Sequence, residues 1–131
     1  MSDLHVGAVC AGILALLVFG LGLGVSIVRG RTNRVAGYTD DPSDPLYKWV
    51  RAHGNATEYN PILALLVLYV ESASPASWVL WVFVIATLAR VLHAAGMILS
   101  PTLAQPQPLR AIGAVGTYVC GIALAVIAMR L

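Results

Sequence analysis

Three polar side chains stand at the beginning of a long apolar stretch, in the segment RAHGNATEYNP at residues 51–61. At about 100° per helical residue, Arg51, Asn55 and Glu58 fall within roughly 60° of one another, so one helix face carries all three. Guanidinium groups form bidentate hydrogen bonds with carboxylates, and the neighbouring amide and carboxylate add further hydrogen-bonding groups. The pattern is typical of a polar site for a small anionic or zwitterionic ligand.

A second charged residue, Arg90 in the segment RVLHAAG, lies at the same depth as Glu58. Glu58 is about 15 Å along its helix from Lys48, and Arg90 is about 15 Å back along the next helix from Ser100, at 1.5 Å per residue. An unpaired charge inside a bilayer costs at least about 2.5–3.5 kcal/mol on insertion scales. We therefore predict an ion pair between Glu58 and Arg90, either as a structural pair that fixes helix register or as part of the ligand site.

Two more residues complete the candidate site. His93 shares a helix face with Arg90, and Arg110 in the segment PLRAIG begins the last apolar stretch, where its long side chain can extend toward polar groups. The sequence contains no HExxH, CxxC or carboxylate cluster, so we expect no metal site. The expected site is a cytoplasm-facing cavity lined by Arg51, Asn55, Glu58, His93 and Arg110.

These residues belong to a chain with the composition of a membrane protein. Of its 131 residues, 59% are hydrophobic and 11% are charged, whereas soluble domains carry roughly 25% charged residues. A membrane-spanning helix needs about 20 mostly apolar residues. Four segments have this length, and the short connections between them make consecutive helices antiparallel. We predict one domain over residues 1–131, an all-α, antiparallel four-helix transmembrane bundle with helices at about 4–28, 47–70, 76–99 and 109–129.

The distribution of basic residues predicts the orientation of this bundle. Lysine and arginine concentrate in cytoplasmic loops. The first loop and its flanks hold most of them, the third loop is followed by Arg110, and the second loop holds none. Loops 1 and 3 are therefore expected on the cytoplasmic side and both termini on the other side. The net charge of +2, without a run of basic residues, gives no reason to expect a nucleic-acid partner.

Taken together, the three segments resemble motifs of the MAPEG family, the membrane-associated proteins of eicosanoid and glutathione metabolism. RAHGNATEYNP is similar to the signature of the family's second helix, RVLHAAG to the R-x-x-H motif of its third helix, and PLRAIG to the P-x-R start of its fourth. The resemblance covers the whole chain. The tyrosine directly after the glutamate is more similar to the small bacterial members, which implies a bacterial inner-membrane protein.

The resemblance implies a homotrimer that binds glutathione between adjacent subunits, near the cytoplasmic side. Many family members activate glutathione as a thiolate and deliver it to lipophilic electrophiles or lipid peroxides. By motif matching, the five cavity residues take the places of glutathione-contacting or site-supporting residues. Arg90 takes the place of the structural arginine that pairs with the glutamate of the second helix. The implied partners are further copies of the chain, membrane lipids and a lipophilic small-molecule substrate.

The chain departs from the prostaglandin-synthase-like members at four positions. Gly54 stands where they have arginine, Met97 and Ala114 stand where they have tyrosines, and Ala111 stands where they have serine. Hydrogen-bond donors for a glutathione thiolate are thus missing at these positions, and a thiolate needs a positive or hydrogen-bonding environment.

Arg110 is therefore the candidate catalytic residue, with Tyr59 or Tyr118 as alternatives. The sequence also leaves two other kinds of protein open as alternatives. One is a non-catalytic binding or scaffold protein of the same fold, with a lipid or other small ligand in the site. The other is a small multidrug-type transporter in which Glu58 would cycle protons, although the expected pairing with Arg90 argues against it.

Overall fold

Four α-helices account for the regular structure of residues 5–131, the part of the chain that the computed structural model describes. They are α1 (Val6–Thr32), α2 (Pro45–Ser72), α3 (Ser77–Leu99) and α4 (Pro108–Ala128). The expected start of the first helix at Leu4 lies outside the described residues. The helix, expected to end at about residue 28, continues to Thr32.

The helices begin and end where the local sequence dictates. Pro45 occupies the first turn of α2, and the side chain of Asp44 accepts a hydrogen bond from the Leu46 amide at 3.0 Å. Proline fits a first turn because the amide it lacks has no partner there, and aspartate is a favoured cap. At the other end of loop 1, Asn33 adopts a left-handed conformation (φ 52°) that stops α1.

Contacts between side chains show that consecutive helices run antiparallel. Gly24 near the end of α1 packs on Trp49 near the start of α2, where an added Cβ would overlap the indole ring. At the opposite end, both carboxylate oxygens of Glu71 accept hydrogen bonds from backbone amides in the first turn of α1. The carboxylate satisfies amides that have no partner within the helix.

Helices α3 and α4 approach closely because glycines line their contact. A Cβ at Gly113 would overlap the backbone of His93, and a Cβ at Gly96 would lie 2.5 Å from the Arg110 amide nitrogen. Small residues at such positions let helix backbones approach each other within a membrane. The close approach brings the α3 histidine and the start of α4 together.

The interior contains two apolar clusters separated by a polar layer. One cluster lies toward loop 2 and includes Leu14, Val67 and Phe83. The other lies toward loops 1 and 3 and includes Ala56 and Met97. Between them lies the buried guanidinium of Arg90.

The outside of the bundle is apolar and suited to lipid. Large side chains such as Leu16, Phe19 and Trp81 are 68–77% exposed. Among the described helices, α1, α3 and α4 are long and apolar enough to cross a membrane by composition alone. The 28-residue α2 runs alongside them, and its polar residues lower its hydropathy. The chain is an integral membrane protein with an all-α four-helix fold.

Candidate functional site

The Arg90 guanidinium is buried at the centre of the bundle and bound to neutral groups. Only 1% of this residue is exposed. Its Nε donates to Asn60 Oδ1 at 2.8 Å, and its Nη2 donates to Asn55 Oδ1 at 2.6 Å. A longer bond of 3.5 Å joins Nη1 to the hydroxyl of Thr117. Asn60 in turn donates to the carbonyl of Leu14 at 3.0 Å. One arginine and one amide therefore link all four helices.

The expected ion pair between Glu58 and Arg90 does not form. Within residues 5–131, the ion pair between Arg34 and Asp44 is the only one present. Ala56 is completely buried, and Glu58, two residues later, is separated from it by about 160° around α2, at about 100° per residue. The Glu58 side chain therefore points away from the core, while the amides of the same helix face Arg90.

Two tyrosines continue the polar layer toward the surface. The Arg90 Cζ lies 5.2 Å from the ring centroid of Tyr59, which is within cation–π range. The Tyr59 and Tyr118 rings meet edge to face, with centroids 5.9 Å apart and hydroxyl oxygens 3.4 Å apart. These hydroxyls lie in the space between α2 and α4.

His93 and Arg110 form a second polar region, at the end of the bundle that carries loops 1 and 3. His93 Nδ1 lies 2.9 Å from the carbonyl oxygen of Arg110. A carbonyl only accepts, so Nδ1 carries the proton and Nε2 is left for another partner. The Arg110 guanidinium donates to the carbonyls of Leu103 and Gln105, at 3.2 and 3.0 Å. Gln107 caps α4 by accepting from the Arg110 amide at 2.7 Å.

This region borders an open groove of about 430 Å³. We call it the His93–Arg110 groove; it is lined by His93, Ala104, Gln105, Pro106, Gln107, Arg110, Ala111 and Ala114. The groove is mixed in character, with glutamine, histidine and arginine beside alanines. It can accommodate part of a small polar molecule, and both Gln105 and Arg110 offer hydrogen-bonding groups to it.

The five predicted cavity residues are not gathered in one place within the single chain. His93 and Arg110 line the groove just described, and Asn55 is bound to the buried Arg90. Arg51 and Glu58 lie on the exposed outer face of α2. These two side chains are thus directed away from the core of the subunit, whereas Asn55, expected on the same face, reaches Arg90.

Sequence reasoning missed several polar residues that the structure brings into these regions. Asn60 holds the centre of the buried network although it follows the motif glutamate by only two residues. It is four residues from the buried Ala56, which is the spacing of one helix face. The residues Gln105 and Gln107 come from loop 3 and the cap of α4, where no periodic pattern exists to identify them.

Loops 1 and 3 are held together beside the groove. Lys48 Nζ donates to the carbonyl of Ser100, at the end of α3, over 2.8 Å. The amide of Leu103 donates to the carbonyl of Pro42 over 2.9 Å. Among the described residues, no group of three His, Cys, Asp or Glu side chains is placed to hold a metal ion.

Comparison with known proteins agrees with the motifs that surround these side chains. The model of the MAPEG family matches residues 7–130. The chain is similar to the inner membrane protein YecN of Escherichia coli strain K12, with 34% identity over 89 residues. That match covers 67% of this chain and 66% of YecN, and the YecN protein of a second Escherichia coli strain matches equally. The match to the family model spans all four helices and every motif segment, and the chain therefore belongs to the MAPEG family.

Proposed function

We propose that this protein binds glutathione and acts as a membrane glutathione transferase or peroxidase on lipophilic electrophiles. The observation that carries the proposal is the His93–Arg110 groove, because it combines arginine, histidine and glutamine side chains at the end of the bundle where the family motifs converge. The tripeptide is anionic, and guanidinium groups bind carboxylates well.

The exposed face of α2 supports an assembly of several subunits. Arg51 and Glu58 are both exposed in the single chain, and charged groups facing lipid are costly. A homotrimer in which the neighbouring subunit covers this face would shield both charges from lipid. It would also bring Arg51 and Glu58 of one subunit toward a groove of the next, which completes the five-residue site at the interface.

In the proposed reaction, glutathione binds with its thiol toward the membrane interior. The thiol loses its proton to solvent, and the thiolate sulfur forms a bond to the electrophilic carbon. With an aryl halide as the electrophile, the halide leaves with the displaced electron pair. Arg110 is the proposed thiolate-stabilising group, although two loop carbonyls already use part of its hydrogen-bonding capacity.

We place this protein in a bacterial inner membrane, with loops 1 and 3 on the cytoplasmic side. The support is the positive-inside rule, applied to Arg29, Arg31 and Arg34 at the loop-1 end, together with the inner-membrane relative. Glutathione would then reach the groove from the cytoplasm.

The decisive experiment is calorimetric titration of the detergent-purified protein with glutathione. We expect saturable binding by the wild type, weakened about tenfold or more by Arg51→Ala, since a hydrogen bond to a charged group contributes about 1.5–3 kcal/mol. Arg110→Ala should weaken binding too, but it also removes bonds that order loop 3. Arg130→Ala, an exposed arginine at the other end of the bundle, is the matched control and should bind like the wild type.

A wild type that takes up no glutathione at millimolar concentration would contradict the proposal. Binding without turnover would favour the second candidate, a non-catalytic binding or scaffold protein. One observation supports that candidate specifically: Met97 is buried within the apolar core, and the alanines at 111 and 114 bring no hydroxyl to the groove. Turnover with a panel of electrophiles separates the two functions.

A further inference from the structure

The His93–Arg110 groove offers few hydrogen-bond donors to an anion. Four of its lining side chains are apolar: Ala104, Pro106, Ala111 and Ala114. The neutral ring of His93 carries its proton on Nδ1, toward the carbonyl of Arg110, and therefore presents Nε2 to other partners only as an acceptor. Arg110 already donates to two carbonyls of loop 3. A thiolate beside Arg110 therefore lacks a second donor unless one of the two glutamines supplies it.

Gln107 presents such a donor in a fixed position. Its side-chain oxygen accepts a hydrogen bond from the backbone amide of Arg110 at 2.7 Å. A backbone N–H only donates, so the atom that faces it is Oε1, and Nε2 occupies the other side of the carboxamide. Gly96 leaves room for this arrangement, because a Cβ there would lie 2.6 Å from Oε1. Within residues 5–131, Nε2 forms no hydrogen bond and is not sealed off from the groove.

The other glutamine, Gln105, is not held in this way. It is exposed, and Arg110 binds its backbone carbonyl instead of its side chain. Donors that are already in place stabilise a developing anion best, because they need no reordering when the charge forms. Only Gln107 therefore offers the groove a side-chain amide whose direction is set by the backbone.

We propose that the carboxamide of Gln107 is a second donor to the glutathione thiolate, beside the Arg110 guanidinium. When the thiol loses its proton to solvent, Nε2 donates a hydrogen bond to the sulfur and the guanidinium supplies the positive charge. The amide thus provides the donor that Met97, Ala111 and Ala114 lack. Gln107 and Arg110 lie in one turn of the same subunit, so their arrangement does not depend on how subunits assemble.

The role of Gln107 rests on the proposed function, because it requires glutathione in the groove. It can be tested on the detergent-purified protein by varying the pH and following the ultraviolet absorbance of the bound thiolate. The second ligand is S-methylglutathione, which has no thiol to ionise. Calorimetry with this ligand measures binding of the peptide separately from stabilisation of the thiolate.

Two substitutions remove the donor and retain the helix cap. Gln107→Ser keeps an oxygen that can cap α4 but is too short to bring a donor to the thiolate. It should lower the ionisation constant of the bound thiol about tenfold, as expected for one lost hydrogen bond to a charged group. Its affinity for S-methylglutathione should match that of the wild type. Gln107→Glu places a carboxylate where the donor was, so it should lower the ionisation constant further. Its thermal stability should stay the same or rise, because a carboxylate is favourable at the start of a helix.

Gln105→Ser is the matched control. It makes the same change two residues earlier, on a side chain that lines the same groove, and it keeps the backbone carbonyl that binds Arg110. The thiol bound to this variant should ionise as it does in the wild type.

Three results would overturn the role of Gln107 alone. One is an unchanged ionisation constant in Gln107→Ser, and another is an equal fall in Gln105→Ser. The third is an equal loss of affinity for both peptides in Gln107→Ser together with lower thermal stability, which would reduce Gln107 to a helix cap. A wild type that binds neither peptide would overturn the proposed function as well, so the two failures are distinguishable.

Discussion

Two arginines of the chain, one in loop 1 and one in the centre of the bundle, are stabilised in opposite ways. Arg34 lies in loop 1 and forms a two-pronged ion pair with Asp44. Arg90 lies in the middle of the bundle and is bound by the amide oxygens of Asn55 and Asn60 and by the ring of Tyr59. The partly exposed cation of Arg34 has a full counter-charge, and the buried cation of Arg90 has only dipoles.

This difference shows that geometry, and not charge alone, fixes the register of the bundle. The net contribution of an ion pair near the surface, such as Arg34–Asp44, is small because water screens it and because long side chains must be ordered. A buried guanidinium has lost its water, so each of its donors needs a well-placed acceptor. Asn55 and Asn60 of α2 supply these acceptors from fixed positions on the helix, whereas the exposed carboxylate of Glu58 points away from the guanidinium.

Arg90→Ala should have the largest effect on stability. The change leaves the amide oxygens of Asn55 and Asn60 without their donor and opens a cavity between three helices. Unsatisfied buried groups cost about 1–3 kcal/mol each, so we expect a loss of about 3–5 kcal/mol, within the range for broken buried networks. The free energy of unfolding in mixed detergent micelles measures it.

The comparison between the two arginines can be extended with Asn60→Leu and with the double variant Arg90→Ala/Asn60→Leu. Asn60→Leu keeps the branched shape of the side chain but removes the amide that joins Arg90 to the Leu14 carbonyl, and its effect should not add to that of Arg90→Ala. Additive losses in the double variant would mean that the two side chains act independently, which contradicts a single network.

Removing the ion pair of loop 1 should have a smaller effect. Asp44 accepts hydrogen bonds from Arg34, from the Thr39 hydroxyl at 2.7 Å and from the Leu46 amide at the start of α2. Asp44→Ala removes both the pair and the helix cap, and we expect a loss of about 1 kcal/mol. Asp44→Asn can retain the cap and should cost less. Thermal unfolding of the two variants beside the wild type distinguishes the contributions.

Because of the same ion pair, the contribution of loop 1 to stability depends on pH. The hydrogen bonds from Arg34, and then from Thr39, hold the pKa of Asp44 well below its usual range. Because the folded-state pKa is depressed, the contribution of Asp44 is complete above the unfolded pKa of about 3.9. It is lost as the pH falls from there through the folded pKa. The difference in stability between the wild type and Asp44→Asn should therefore shrink with acidification; a difference that grows instead would contradict the assignment.

Much of the fold could be predicted from the sequence because composition and periodicity determine it. The membrane class, the number of helices and the depth of Arg90 all depend on the length and spacing of apolar residues. The partner of Arg90 could not be predicted in the same way. A rise of 1.5 Å per residue gives the height of Glu58, but its direction depends on which face of α2 packs inward.

The candidate site was harder to predict because backbone groups form part of it and because part of it would depend on a neighbouring subunit. The groups that hold the Arg110 guanidinium are backbone carbonyls of loop 3, and a carbonyl is present at every residue whatever its type. No sequence pattern identifies such an acceptor. Arg51 and Glu58 lie on an outer face, so how they would join His93 depends on a neighbouring subunit. Their role in binding stays a prediction.

Glu58→Gln should have the smallest effect on the stability of the subunit. It distinguishes a structural role of this glutamate from a role in ligand binding. An exposed side chain without a partner in the described chain contributes little, so we expect a change within about 0.5 kcal/mol in the free energy of unfolding. A loss of 3 kcal/mol or more, comparable with Arg90→Ala, would restore the ion pair that the sequence suggested. If stability is preserved while glutathione binding weakens, Glu58 acts at the ligand and not in the fold. The buried cation would then depend on neutral groups alone, and the carboxylate on the outer face would be free to serve the site between subunits.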